Sequence, residues 1–424
     1  MSTINSHSAL KTEMMHIPGS TAVRDDVRTG WLAGLLGKLT LRKVLLKIHL
    51  YIALWLGALL VLAGLTGSLL VYKHALDKWL NPELLQVRVL DSGAKPFLSL
   101  IEAANLVSPI KDPPSHLYLP RHEDDAMVVR YQIKHPDPAH KGHNHHFYEV
   151  MVNPYTGVVL GHRDRDDALM TIILQLHYKL LAGDTGKLVM GITALLTLIL
   201  TLTGIYLWWP KLTKLKQAFV IKRNASSHRF NFDLHKTTGI YTALVMFVVA
   251  LSGVYFNLPQ VFKPVIGFFS PLTEIPRDVK SVPPADSELL AAITPEEAAQ
   301  VAVNNFPAGI EAQRIFLPAD ATGVYMITAR QPTEYGSNGK TLIWIDQYSG
   351  NILNIRDPHK LGAGDAFLNL QLPLHNGEIL GDAGQIAVLI VGFSPLLLFI
   401  TGVIVWLKKR RAKRVEWLRR SPTA

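Results

Sequence analysis

Cysteine is absent from the 424-residue chain. Its absence excludes disulfide bonds, iron–sulfur clusters held by thiolates, and covalently attached c-type haem, which needs a C-x-x-C-H motif. The sequence also lacks a P-loop and a G-x-G-x-x-G motif that follows a strand, so we find no flavin or nicotinamide site in this chain. If the protein needs a reductant, it must come from elsewhere.

An apolar core is missing from the first 30 residues, which are polar and charged. Cleavable signal peptides need such a core, so we expect the first apolar stretch to stay as a membrane anchor. Each of four uncharged stretches is long enough to cross a bilayer. They are residues 50–72, 188–209, 237–262 and 386–407.

The net charge of +10 could indicate nucleic-acid binding, but the distribution of the charge argues against it. Lys and Arg crowd residues 38–47, 211–236 and 408–420. These segments share one side of the membrane if the chain crosses four times, and the positive-inside rule makes that side the cytoplasm. We therefore expect cytosolic termini, two external polar segments, and lipid rather than nucleic acid as the partner of the basic residues.

The two external segments resemble each other. Residues 147–160 (FYEVMVNPYTGVVL) and 341–354 (TLIWIDQYSGNILN) each predict a β-hairpin, because apolar and β-branched residues flank a polar turn that contains glycine. A short helical pattern precedes each hairpin, from Leu98 and from Thr294. Each segment therefore predicts a small α+β module.

Histidines recur at matched positions of the two halves. His49 precedes Thr66-Gly67 by 17 and 18 residues, and His235 precedes Ser252-Gly253 by the same distances. In the same way, His177 and His375 each precede a Thr-Gly pair by 26 and 27 residues. Four spans arranged as two internal repeats explain this pattern, and the histidines become candidate metal ligands.

The expected topology decides which histidines could share a metal. His49 and His235 begin outward-going spans, so both lie near the cytoplasmic boundary, whereas His177 and His375 lie near the outer boundary. One imidazole pair at each face would saturate haem iron and favour electron transfer. His74 is the alternative outer ligand, since about 25 residues of helix place it near the same face.

Small residues lie beside the first histidine of each half. Gly67 and Gly253 come five helical turns after His49 and His235, and so share their faces. A flat macrocycle would fit along such a stripe, and we count both glycines as candidate cofactor contacts. Alternatively, the small residues simply permit close packing of helices in lipid.

Two further motifs have two interpretations each. The GDTG and GDAG sequences, which begin at Gly183 and Gly381, either cap interfacial helices or bring backbone amides near haem propionates. The histidine-rich loop at residues 135–146 (His135, His140, His143, His145 and His146) is either a solvated insertion or a metal-capturing segment.

The motifs KIHLYIALWLG, LTGIYLWWP, DLHKTTG and LPLHNGEILGDAG together resemble the PepSY-associated transmembrane family, over approximately residues 40–410. Members of that family include siderophore-iron reductases of the bacterial inner membrane. The resemblance implies two non-covalent b-type haems, PepSY-like external modules in the periplasm, and a ferric siderophore as electron acceptor. The donor would be a cytosolic reductase or a membrane quinol.

The expected layout alternates spans with connecting segments. In chain order it comprises a cytosolic extension and interfacial segment (1–43), the first span (44–79), an external module with an interfacial helix (80–186), the second span (187–209), a basic cytosolic loop (210–235), the third span (236–262), a second module (263–383), the fourth span (384–407) and a basic tail (408–424).

Two functions from different classes fit these features. The first is an inner-membrane di-haem electron-transfer protein that reduces ferric siderophore in the periplasm. The second is a non-enzymatic membrane protein whose PepSY-like modules bind or regulate an envelope protease or another partner. In the second case the histidines are structural and the purified protein carries no haem.

Overall fold

A computed structural model describes residues 40–133, 146–284, 292–306 and 308–420. The chain divides into a first compact unit, Met1–Ile48, of which residues 40–48 are described, and a second unit, His49–Ala424. The expected extension at residues 1–39 lies outside the described residues.

The α-helices in chain order are α1 (Leu41–Val71), α2 (Lys73–Leu80), α3 (Pro82–Leu85), α4 (Phe97–Val107), α5 (Leu169–Lys179), α6 (Gly183–Trp208), α7 (Leu215–Ala218), α8 (Ser227–Asn257), α9 (Pro259–Phe269), α10 (Pro295–Asn304), α11 (Ala363–Asn369), α12 (Gln371–Asn376), α13 (Gly381–Gly392) and α14 (Ser394–Arg420). The strands are β1 (His116–Tyr118), β2 (Met127–Ile133), β3 (His146–Val152), β4 (Val159–Asp164), β5 (Glu311–Phe316), β6 (Val324–Arg330), β7 (Thr341–Asp346) and β8 (Ile352–Arg356).

Four helical segments in the described part of the chain are long and apolar enough to cross a membrane, as the sequence predicts. They are α1, α6, α8 and the segment Glu378–Arg420. The first helix ends at Val71, before the expected limit at residue 79, and α2 follows it separately. The fourth segment is interrupted between α13 and α14, where Pro395 cannot donate to the helical ladder.

Glycine and serine bring the first and fourth spans into close contact. A Cβ added at Gly64 would lie 2.2 Å from the carbonyl oxygen of Gly392. One turn further along α1, the Ser68 hydroxyl donates to the Leu389 carbonyl at 2.9 Å. Close approach of backbones is a common way for helices to associate in lipid, where no hydrophobic force acts between them.

The strands of the two segments that we expect to be external join in one antiparallel sheet of order β4-β3-β2-β1-β5-β6-β7-β8. The sequence treats these segments as two modules, but β1 pairs directly with β5, with Leu117 opposite Ile315. One face of the sheet carries the main core against α4 and α10. This core includes Leu100, Ala104, Leu117, Val129, Val150, Ala298, Ala302, Ile315, Ile327 and Ile343, all fully buried.

Both predicted hairpins and both predicted helices are confirmed. Strands β3–β4 and β7–β8 are connected by turns in which Gly157 and Gly350 have φ of 75° and 71°. Glycine adopts this left-handed region without a steric penalty. The helix after Thr294 begins with a capping box, in which Thr294 and Glu297 each accept a backbone N–H of the other.

Ion pairs and hydrogen bonds attach the sheet to one end of the helical bundle. Arg163 of β4 donates to both carboxylate oxygens of Asp77 on α2, at 3.0 and 2.8 Å. Across the sheet, Ser337 donates its hydroxyl to Glu378, just before α13, at 2.6 Å. The strands therefore lie over the end of the bundle at which α1 finishes and α13 begins.

The cap of α5, the helix that we expected at the membrane interface, differs from the expectation. Leu180, with φ of 53°, is its left-handed C-cap residue, so the prediction that Gly183 serves as that cap is wrong. Gly183 instead begins α6. Gly381 follows a short helical turn, Glu378–Leu380, and begins α13, whereas the helix that carries His375 ends at Gly377. In both halves the left-handed cap residue therefore precedes the motif.

We predict that Gly64→Ala lowers the free energy of unfolding, because its methyl group would collide with the Gly392 backbone. Overpacking of this kind costs about 1–3 kcal/mol. Gly239→Ala is the matched control, since its Cβ would meet the nearest atom, Leu398 Cδ2, at 3.8 Å. Thermal unfolding in detergent measures both variants, and equal midpoints would contradict the assigned α1–α13 contact.

Candidate functional site

The four repeated histidines meet in two pairs inside the bundle. His49 on α1 faces His235 on α8, with ring centroids 6.5 Å apart and ring planes at 85°. His177 on α5 faces His375 on α12, with centroids 6.1 Å apart and planes at 72°. We call these the α1–α8 pair and the α5–α12 pair. Each takes one histidine from each half of the chain, as the expected topology requires.

Hydroxyl groups of neighbouring helices hold the rings of the first half. The Nδ1 atom of His49 lies 3.0 Å from Thr203 Oγ1 on α6. In the same way, Nδ1 of His177 lies 3.0 Å from Thr66 Oγ1 on α1. Each threonine belongs to a Thr-Gly motif, and each serves a histidine on a different helix.

The second half repeats this arrangement. Nδ1 of His235 lies 3.1 Å from Thr401 Oγ1 and 3.0 Å from the Leu398 carbonyl oxygen, both on α14. Nδ1 of His375 lies 2.7 Å from Ser252 Oγ on α8. All four Ser/Thr-Gly motifs therefore supply a partner to an imidazole across a helix interface.

These contacts determine which ring nitrogen carries the proton. Each hydroxyl donates to the carbonyl four residues earlier in its own helix: Thr66 to Leu62, Thr203 to Ile199, Ser252 to Val248 and Thr401 to Leu397, at 2.7–2.8 Å. Because a hydroxyl has one proton, it must accept the hydrogen bond from Nδ1–H. The Leu398 carbonyl can only accept, which gives the same answer for His235. All four Nε2 lone pairs are thus left available to a ligand.

Glycines next to the hydroxyls leave room for the rings. A Cβ at Gly67 would lie 3.0 Å from Cε1 of His177, and one at Gly204 would lie 3.3 Å from Cε1 of His49. Gly402 is related to His235 in the same way, at 3.4 Å. The small residues thus allow each ring to approach the helix that holds it.

The small residues that we expected to leave an open stripe beside the histidines pack against other side chains. Gly67, which we expected to face a macrocycle, lies against the His177 ring. Gly253 faces Ala194 on α6, whose Cβ would lie 3.3 Å from an added methyl group. At Gly57, two turns from His49, the Phe399 ring fills the space. Sequence spacing identifies positions on one face but not the neighbour that packs there.

Burial keeps the α5–α12 pair neutral. Loss of solvation, together with the neighbouring His177, lowers the pKa of His375 to about 3. Burial also lowers the pKa of His177. Neutral imidazole is the form that binds a metal, so the site does not have to lose a proton at neutral pH.

The distance between the rings fits two axial ligands of one metal ion. An imidazole nitrogen binds a transition metal at about 2.0–2.1 Å, and with the centroid roughly 1 Å behind that nitrogen, opposite ligands have centroids about 6 Å apart. In the described part of the chain, no group of three or more His, Asp or Glu side chains could hold a metal. Each pair by itself offers two nitrogen ligands.

The two pairs lie near opposite ends of the bundle. His49 belongs to the first third of α1 and Thr66, the partner of His177, lies close to its end. The 17 residues between them span about 25 Å of helix. An arrangement of this length is comparable to the hydrocarbon thickness of a membrane, about 30 Å.

His74, the alternative outer ligand, is an exposed residue of α2. The ring that faces His375 belongs to His177. In the histidine-rich loop, His135, His140, His143 and His145 lie outside the described residues. His146 begins β3, and its Nδ1 lies 2.7 Å from the Asp166 carboxylate.

Asp233, which the sequence analysis overlooks, lies two residues before His235 and is fully buried. Arg229 and Lys236 on the same helix form ion pairs with its carboxylate at 2.9 and 3.2 Å. The backbone N–H of Lys222 donates to it as well. Since a buried carboxylate is costly unless it is paired, these contacts tie the basic connection before α8 to the helix that carries His235.

The fold and the site define a membrane protein with four candidate spans, a separate antiparallel sheet and two interhelical histidine pairs. The sequence profile of the PepSY-associated TM region matches residues 46–409. The chain belongs to this family, as the sequence motifs indicate. No curated protein gives a significant match to the chain.

We predict that Thr203→Val destabilises the protein, because Nδ1–H of His49 loses its acceptor inside the bundle. An unsatisfied buried donor costs about 1–3 kcal/mol. Thr201→Val is the matched control, since Thr201 donates only to the Thr197 carbonyl of its own helix. Thermal unfolding in detergent should give a lower midpoint for Thr203→Val than for Thr201→Val. The midpoint of Thr203→Ser should be close to that of the unaltered protein. Equal stability of the two valine variants would refute the assigned tautomer.

Proposed function

We propose that the protein is a di-haem electron-transfer protein of the bacterial inner membrane, in which His49 and His235 bind one b-type haem and His177 and His375 bind the other. The observation that carries this proposal is the shared geometry of the two pairs. Centroid distances of 6.5 and 6.1 Å accompany four hydrogen-bonded Nδ1 atoms and four available Nε2 atoms.

A macrocycle explains why two imidazoles suffice at each site. Zinc and other naked ions usually take three or four protein ligands, whereas haem would bring ring nitrogens of its own and would need only the two imidazoles of a pair. Non-covalent attachment agrees with a chain that has no cysteine. When bound, haem would supply one-electron redox chemistry.

The residues of the chain then act as a rigid holder. Hydrogen bonds from Nδ1 fix the tautomer and the orientation of each ring, a role that partners of metal-binding histidines commonly have. Burial keeps the rings of the α5–α12 pair neutral. The separation of the pairs along α1 supports transfer of electrons from one membrane face to the other.

The orientation follows from charge. Basic residues crowd the connection before α8 and the end of α14, which favours a cytosolic location for the α1–α8 pair and for both termini. The sheet, at the opposite end of the bundle, would then be periplasmic. We also propose that its two halves, β1–β4 with α4 and β5–β8 with α10, are PepSY-like modules that arose by internal duplication.

The proposed acceptor is a ferric siderophore in the periplasm, by analogy with reductases of this family. Each ferric ion would take one electron and become ferrous. Oxygen-rich chelators hold the harder ferric ion more tightly, so reduction would release iron without breakage of the chelator. The donor would be a cytosolic reductase or a membrane quinol, which gives up two electrons and two protons.

We predict that the detergent-purified protein shows a haem spectrum that changes on addition of dithionite, with two haems per chain. Replacement of His49, His235, His177 or His375 by alanine should remove one of the two haems. His74→Ala is the control and should retain both, because His74 is exposed on α2. Absorption spectra with a haem assay measure this. A colourless preparation from haem-competent cells would instead favour the non-enzymatic partner-binding function.

We further predict that the dithionite-reduced protein, once freed of excess reductant, is reoxidised by a ferric siderophore and forms ferrous iron. Stopped-flow absorption follows the haem, and a ferrous-specific chelator traps the product. The gallium(III) form of the same chelator is the control and should leave the protein reduced. If haem is present but no ferrous iron forms, the siderophore assignment fails while the electron-transfer assignment stands.

A further inference from the structure

A cluster of arginine and aromatic residues occupies the face of the sheet opposite α4 and α10. Side chains alternate between the two faces of a strand. Leu117 and Ile315 belong to the core, so their neighbours point the other way. The register places Tyr118 opposite Arg314. We call the residues His116, Tyr118, Arg130, Arg314 and Phe316 the arginine–aromatic face.

Two guanidinium groups share the ring of Tyr118. The Cζ atom of Arg130 lies 4.0 Å from the ring centroid, and that of Arg314 lies 5.0 Å from it. Arg314 also lies 5.2 Å from the centroid of Phe316. Arg130 also donates to the Tyr118 hydroxyl and to Glu149, so Arg314 is the cation whose aromatic contacts leave the edge of its guanidinium group to another partner.

The arginine–aromatic face carries more positive charge than the neighbouring Glu149 neutralises. Glu149 forms an ion pair with Arg130, but it also accepts from Arg163 at 3.0 Å. Among the described residues, the buried Nε atoms of both Arg130 and Arg314 have no hydrogen-bond partner. A desolvated cation with unmet donors is costly, and an anion would compensate for this cost.

The arginine–aromatic face points toward the end of the bundle with the α5–α12 pair. Arg130 pairs with Glu149, and Glu149 with Arg163, in adjacent strands, so all three share this face. Arg163 reaches Asp77 on α2. Burial lowers the pKa of Lys73, at the start of α2, as do the nearby charges of Arg165 and Arg130.

A second connection leads from this face to His375. Arg121, three residues after Tyr118, donates to Asn338 Oδ1 at 2.8 Å and to Ser337 Oγ at 3.4 Å. Ser337 in turn donates to Glu378, which follows His375 by three residues. These hydrogen bonds connect the loop after β1 to the segment that follows His375.

We propose that the arginine–aromatic face binds an anionic ferric chelate with planar, oxygen-bearing arms of the catecholate type. Guanidinium groups bind oxyanions through paired N–H donors and stack on planar rings. Tyr118 and Phe316 add aromatic surface for the arms. The identification of this ligand as the electron acceptor rests on the proposed reductase function.

Gallium(III) tris-catecholate is the probe, because it copies the charge and shape of the ferric complex but accepts no electron. Binding to the purified full-length protein is measured by equilibrium dialysis in detergent. We expect Arg314→Gln to weaken binding about tenfold through loss of a charge-assisted hydrogen bond. Arg88→Gln, at an exposed arginine before β1, is the matched control and should bind as the unaltered protein does.

Neutral gallium(III) tris-hydroxamate tests the charge requirement and should bind more weakly than the catecholate. Equal affinities of the Arg314→Gln and Arg88→Gln variants, or of the two chelates, would overturn the proposal. Loss of haem in Arg314→Gln would also overturn it, since the arginine would then hold the cofactor. Because gallium cannot be reduced, failure of this binding and failure of siderophore reduction are observed separately.

Discussion

The hydrogen bond from an imidazole Nδ1–H to a helix hydroxyl is the interaction on which both histidine pairs depend. Each hydroxyl gives its own proton to the carbonyl four residues earlier, so it accepts from the histidine and cannot rotate freely. The orientation of each ring is consequently set by a neighbouring helix. A single kind of contact, used four times, exposes the same nitrogen of every histidine to a ligand.

The same contacts couple the two ends of the bundle. α1 carries His49 for one pair and Thr66, the partner of His177, for the other; α8 carries His235 and Ser252 in the same way. A shift of either helix along its axis would disturb both pairs at once. Close packing at Gly64 opposes such a shift, because the backbones already touch there. The sheet adds a second restraint through Arg163 and Asp77.

Much of the local structure follows directly from sequence patterns. Long apolar runs give the four spans because a bilayer tolerates little else. The hairpins around Gly157 and Gly350, and the capping box at Thr294, follow from turn and cap chemistry within a few residues. Expectations about packing were less successful. Gly67 faces the His177 ring rather than an open stripe, and Leu180 replaces Gly183 as a helix cap, because each depends on chain geometry beyond the motif itself.

The sequence by itself determined the family, the four long apolar stretches and the matched spacing of His49 with His235 and of His177 with His375. The matched spacing of the histidines in the two halves is visible in the sequence alone. Only the tertiary structure decided which hydroxyl holds which ring, that β1 and β5 join the two long polar segments in one sheet, and that Arg314 meets Arg130 at Tyr118. These contacts join residues far apart in the chain, and their geometry depends on how helices cross and strands pair, which periodicity along one segment does not encode.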